Sequence, residues 1–149
     1  MNLGVYVQSL AISEDIGYAI DNINQGIGNG SLDDASIFFD DVGANHLPIK
    51  CGCFNSADIW SFTGHLVVTS IEKALSVINI VNKFKLFYYY NWHDEKDVMG
   101  IISIVNHPRV STICRTDNDA EELYRITGIK PISIVDKFNL PDMLKAIQS

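Results

Sequence analysis

Cysteine is scarce in this chain: three residues in 149, an odd number, with two of them only two positions apart. A disulfide framework is therefore not expected, and a reducing cytoplasm is the compartment the composition suggests. No apolar stretch reaches the ~18–20 residues a bilayer span needs. Met1 to Leu10 carries no positively charged segment and alternates in polarity, so no secretory signal is expected there. Basic residues are few as well, 11 Lys and Arg against 18 Asp and Glu, for a formal net charge of −7. They are scattered rather than clustered. An acidic surface without a basic run disfavours phosphate backbones and anionic membranes, so neither nucleic acid nor a membrane is expected as a partner. No G-x-S-x-G elbow is present to support a hydrolase. No glycine-rich phosphate loop follows the first strand, which weighs against a small flavodoxin-like nucleotide enzyme.

What is present is core-forming material: 47 % hydrophobic residues, including two Trp, six Tyr and seven Phe. Leu3, Val5 and Val7 alternate with small or polar neighbours, as a strand does. Ser13 caps a helix with Glu14 and Asp15 in its first turn, and Ile16, Ala19, Ile20, Ile23 and Ile27 then recur at helical spacing. Further strands are expected at Ala35–Phe39, Pro48–Phe54, Gly64–Ser70, Phe84–Tyr90, Val110–Cys114 and Ile132–Val135. Between them lie a short aromatic helix or turn at Ser56–Phe62 and a helix capped by Ser70 with a stripe at Ile71, Ala74, Leu75, Ile78 and Val81. A helix over Asp97–Asn106 is stopped by Pro108, and one begun by Asp117 and Asp119 is closed by Gly128. Pro141 opens a last helix with Met143, Leu144 and Ile147 on its apolar face.

Strand and helix alternate to the end, with near-continuous apolar strands and no linker or repeat. The pattern predicts one α/β domain over residues 1–149, Rossmann-like, with a mostly parallel sheet of six to seven strands and helices on both faces. Val67 and Ile134 are expected in fully buried strands. Sheets of this kind bind ligands beyond the carboxyl ends of their strands. That rim contains Gln8, Ser9, Asp40, Asp41, Asn55, Ser56, Ser70, Asn91 to Asp94, Arg115 and Thr116.

Four clusters can be read in two ways. Gly26-Ile27-Gly28-Asn29-Gly30 resembles a phosphate loop but ends a helix instead of opening one, so it reads as a helix stop. Cys51-Gly52-Cys53 sets two thiols on one face of a strand. No second ligand pair accompanies them, so two part-buried thiols are expected rather than zinc, and no metal or cofactor is expected anywhere. Asp40 and Asp41 end a strand on opposite faces, which suits a turn or cap better than a shared metal. Trp92-His93-Asp94-Glu95 follows the fifth strand. It is either a solvated loop with Trp92 tucked beneath it, or an imidazole–carboxylate group with a stacking face for a sugar or base.

Asp58-Ile59-Trp60-Ser61-Phe62-Thr63-Gly64-His65-Leu66-Val67-Val68-Thr69-Ser70 resembles the helix, glycine turn and central strand in the N-terminal half of GT-B-type glycosyltransferases. Leu86 to Trp92 resembles the strand and aromatic turn that follow. Val110 to Thr116 and Pro131 to Phe138 resemble that domain's later strands. The resemblance covers most of the chain, through the order and spacing of its segments. It implies an acceptor-side domain. No counterpart of the family's second, donor-binding domain is expected, because the sequence stops where it would begin, and so no donor residue is carried over. The resemblance leaves His93 as the one candidate catalytic base, matched by position. The candidate ligand-binding residues are Ser9, Asp40, Ser70, Trp92, His93 and Arg115. The function expected is non-catalytic binding of a protein partner, a second copy of the chain or a small polar ligand. The alternative is a glycosyltransferase subunit whose donor half lies on another chain.

Overall fold

The computed structural model describes residues 2–11, 13–80, 83–91 and 95–149. Seven strands form one sheet: β1 (Asn2–Ser9), β2 (Asp34–Asp41), β3 (Gly52–Asn55), β4 (Gly64–Val68), β5 (Phe84–Tyr90), β6 (Val110–Cys114) and β7 (Ser133–Ile134). Their order is β3-β2-β1-β4-β5-β6-β7, and every neighbouring pair is parallel. This is the doubly wound order with one strand added. The chain winds outward from β1 to β3, returns, and winds outward again from β4 to β7. The switch point therefore falls between β1 and β4, which pair through Leu3–His65 to Tyr6–Val68.

Each strand alternates its side chains between two faces. One face, called here the α1 face, carries Leu3, Val5, Val7, Ile37, Val67, Phe87, Tyr89 and Ile113. It is covered by α1 (Glu14–Gly28) through Ile16, Ala19, Ile20 and Ile23, and by α5 (Leu140–Gln148) through Met143, Ala146 and Ile147. The opposite face carries Tyr6, Phe38, Leu66, Val68, Leu86, Tyr88, Tyr90 and Cys114. Three helices cover that side: α2 (Ile71–Val77), α3 (Val98–Val105) and α4 (Asp117–Thr127). Residues buried on both faces make the strands read as unbroken apolar runs.

The helices begin where the sequence supplies caps. Ser13 Oγ accepts the Ile16 N–H at 3.2 Å, and Asp97 accepts the Gly100 N–H at 2.9 Å. Gly128 ends α4 at φ 75°, a left-handed position that a Cβ would strain. Gly26 lies near the end of α1 for a different reason: a Cβ there would come within 2.3 Å of the Leu140 side chain, so the glycine lets α5 seat against α1. Among the described residues no helix is long and apolar enough to cross a membrane.

Three expectations shift. The third strand begins at Gly52 rather than Pro48. Pro48 has no N–H to give a ladder, and the Asn24 side chain takes up the Pro48 carbonyl and the Lys50 N–H. Val67 is fully buried, but Ile134 is 40 % exposed. Its strand is the sheet's outer edge and only two residues long, so it has a neighbour on one side alone. Leu75 is likewise exposed on α2, and Val81 lies outside the described residues.

Candidate functional site

At the switch point the α1-face core gives way to a cavity of about 360 Å³. The end of β1 supplies Val7, Gln8 and Ser9; the turn after β4 supplies Thr69 and Ser70. Tyr89 and Asn91 enter from β5, Arg115 from the end of β6, and Phe138 from the turn before α5. The first turns of α1 close it with Ser13, Asp15, Ile16, Tyr18 and Ala19. An outer space of about 430 Å³ shares Ser13, Asp15, Tyr18, Asn91 and Arg115 and adds Glu14, Thr116, Asp119, Asp136 and Lys137.

The floor is built around Tyr89. Its hydroxyl donates to the Val135 carbonyl and accepts the Phe138 N–H at 3.2 Å. The Phe138 ring stands edge-on to the Tyr89 ring, centroids 5.9 Å apart. Burial raises the pKa of this hydroxyl, which keeps it a donor. These bonds hold an unusual turn in which Lys137 and Phe138 have φ of 49° and 54°. Left-handed conformations cost non-glycine residues about 1–2 kcal/mol each, and such strain clusters at ligand sites.

Arg115 crosses the wall that the two spaces share. It is ion-paired with Asp15 and lies over the Tyr89 ring, 5.4 Å from the centroid. Burial disfavours its charge, but the hydrogen bond and charge of Asp15 outweigh that and raise its pKa. Guanidinium and carboxylate thus neutralise one another at the mouth.

The structure brings Ser9, Ser70 and Arg115 together in this cavity. Ser9 Oγ accepts the Ala11 N–H at 3.0 Å, and Ser70 Oγ accepts the Lys73 N–H at 3.3 Å as the α2 cap. Asp40 points to the other face of the sheet. There it is ion-paired with buried Lys73 and accepts the Tyr6 hydroxyl at 2.8 and 3.0 Å. Trp92 and His93 lie outside the described residues. Asn91, the residue before them, lines both spaces.

Comparison with protein-family models, with curated proteins and with solved structures returns no match. The site is therefore read from its own geometry. Sequence reasoning missed Tyr89, Phe138, Tyr18 and Asp15 as site residues. Tyr89 sits inside an aromatic strand whose every residue looks like core. Asp15 has the ordinary signature of a helix first turn, and Phe138 reaches the site only through the left-handed turn.

The lining combines aromatic faces, hydroxyls and amides. That set suits binding and orienting a ring with polar substituents. No histidine is among the described lining residues. No group of three or more His, Cys, Asp or Glu able to hold a metal occurs among the described residues. Cys51 and Cys53 lie away from the site as free thiols. Burial raises both pKa values, that of Cys51 to about 12, so the thiols stay protonated.

Proposed function

We propose that this chain is a binding domain of the GT-B N-terminal type that holds a small polar ligand in the cavity at the β1/β4 switch point. The observation that supports this most is positional. In open parallel sheets, ligands bind outside the carboxyl ends of the strands where the winding reverses, and the cavity lined by Ser9, Tyr89 and Arg115 is at that place. The domain is read as non-catalytic by itself and as working in a reducing cytoplasm. Sugar transfer from a nucleotide donor relies above all on electrostatic stabilisation of the departing diphosphate. Here the one arginine at the mouth is already paired.

The second reading is a glycosyltransferase subunit completed by another chain. It draws on His93, which follows Asn91 by two positions in the sequence. Calorimetric titration with nucleotide sugars and a turnover assay on the same preparation separate the two. The proposal expects no turnover. Turnover that disappears in His93→Ala, in a preparation free of other chains, replaces it with the catalytic reading.

A further inference from the structure

We infer that the cavity takes an uncharged, hydroxyl-bearing ring, a sugar or a nucleoside, and turns away the phosphorylated form. This inference rests on the binding reading above and adds the ligand's class.

Anions bind at this place in a doubly wound sheet when helix N-termini offer free amides and a glycine turn lets phosphate approach them. Here the sequence between β1 and α1, Leu10 to Ser13, contains no glycine. Three amides here already have acceptors: the Leu10 N–H in the Asp41 carbonyl, the Ala11 N–H in Ser9 Oγ and the Ile16 N–H, in the first turn of α1, in Ser13 Oγ. The starts of α2 and α4 also carry acceptors from the protein itself. The carboxylate of Glu95, 8 % exposed, accepts the Ile71 N–H at 2.8 Å at the start of α2. Thr116 Oγ1 accepts the Asp119 N–H at 3.1 Å at the start of α4. Part of what a phosphate would use is thus already taken by Ser9, Ser13 and Thr116.

Charge points the same way. The outer space is walled by four carboxylates, Glu14, Asp15, Asp119 and Asp136, against two cations, Arg115 and Lys137. Arg115 is committed to Asp15, and Lys137 lies over the Tyr18 ring at 5.7 Å. A phosphate entering this mouth would lose hydration and meet net negative charge. Size agrees as well. About 360 Å³ is near the lower end of the roughly 300–1,000 Å³ typical of ligand pockets, enough for one or two rings and short of a dinucleotide. The rings of Tyr89 and Phe138 supply an apolar surface, and the lining also includes the amide side chains of Asn91 and of Gln8, whose Nε2 donates to Asp41 at 2.7 Å.

The test is calorimetry on the full chain with two matched pairs: adenosine against AMP, and 4-nitrophenyl glucoside against glucose 1-phosphate. In at least one pair the neutral probe should bind ten-fold or more tightly than its partner, and which pair responds tells nucleoside from sugar. Asp15→Asn removes a carboxylate and releases Arg115, so it should shrink the ratio several-fold. Equal or tighter binding of the phosphorylated probes, or no binding of either neutral probe at millimolar concentration, overturns the inferred class. The site itself is tested separately, by intermolecular NOEs from a bound probe to the Tyr89 and Phe138 rings in the wild-type protein. Binding without those NOEs overturns the cavity reading, whatever the charge preference.

Discussion

The two faces of the sheet are built from the same strands and solve burial differently. The α1 face is mainly aliphatic, and Tyr89 gives and receives a hydrogen bond at the cavity floor, while His65 Nδ1, beside Phe87, is buried without a hydrogen-bond partner among the described residues. The α2–α4 face buries aromatic rings and leaves some polar atoms alone. Tyr90 Oη and Thr112 Oγ1 are buried without a hydrogen-bond partner among the described residues. That face also carries Lys73, 4 % exposed, clasped by Asp40 and 5.3 Å from the Tyr6 ring centroid. The comparison teaches that alternation along a parallel strand does more than divide inside from outside. Tyr89 and Tyr90 are neighbours of one residue type, yet the first is part of a candidate site and the second is packing.

The largest expected effect comes from disrupting the α1 face where it is driest. Val67 is fully buried between α1-face neighbours in a central strand. Val67→Asp would place an unpaired charge there, at a cost of several kcal/mol. Chemical denaturation should show a chain largely unfolded in mild denaturant. Wild-type stability in this variant would mean that the strand does not face a core.

Tyr89→Phe is next. The substitution keeps the ring but leaves the Phe138 N–H and the Val135 carbonyl without the hydroxyl between them. An unsatisfied buried group costs about 1–3 kcal/mol. The left-handed turn at Lys137 and Phe138 should loosen, so amide exchange at residues 136–139 should quicken more than at β1. An unchanged midpoint and exchange pattern would show that the turn holds without the Tyr89 hydroxyl.

On the opposite face, the Asp40 clasp should appear in the pH dependence. Partial burial favours the protonated acid, but hydrogen bonds from Lys73, Ser56 and Tyr6 outweigh it, and the Asp40 pKa is lowered. A carboxylate with a depressed folded pKa contributes stability that is present above its unfolded pKa, near 3.9, and is lost as pH falls through the folded value. The wild type should therefore lose stability on acidification below about pH 4 in a step that Asp40→Asn lacks, with a size of order 1 kcal/mol because Asp40 is partly exposed. Identical acid limbs in the two proteins would show that the clasp is worth nothing.

Much of this architecture is legible in the sequence because its signals are local. Caps at Ser13, Ser70 and Asp97, the apolar runs of β5 and β6, and the stop at Gly128 each depend on residues within a turn or two. The strand order is not local, and the edge position of β7 is what exposes Ile134. The site is legible in part for the same reason. Its rim follows from the parallel topology, which is why Ser9, Ser70 and Arg115 could be named together. Asp40 and Ser9 also share the rim, but β2 presents Asp40 to the α2–α4 side, towards Lys73. Tyr89 and Phe138 meet across 49 positions of sequence, and no local pattern encodes that contact.

The smallest expected effect is the sharpest test of the contrast. Tyr90→Phe removes one oxygen from the neighbour of Tyr89, in a ring that is fully buried and stands edge-on to Tyr88 at 6.0 Å. Burial, together with the negative charge of Asp119 and other nearby groups, keeps the Tyr90 hydroxyl protonated. No described residue accepts its proton. A buried hydroxyl without a partner costs desolvation and returns nothing, so deleting it should leave stability unchanged or raise it by up to about 1 kcal/mol. The same chemical change one residue earlier should lose stability. Measured side by side, Tyr89→Phe and Tyr90→Phe should move the denaturation midpoint in opposite directions, or move it for Tyr89 alone. A loss at Tyr90 as large as that at Tyr89 would mean that its hydroxyl is bonded in solution, and the contrast between the two tyrosines would disappear.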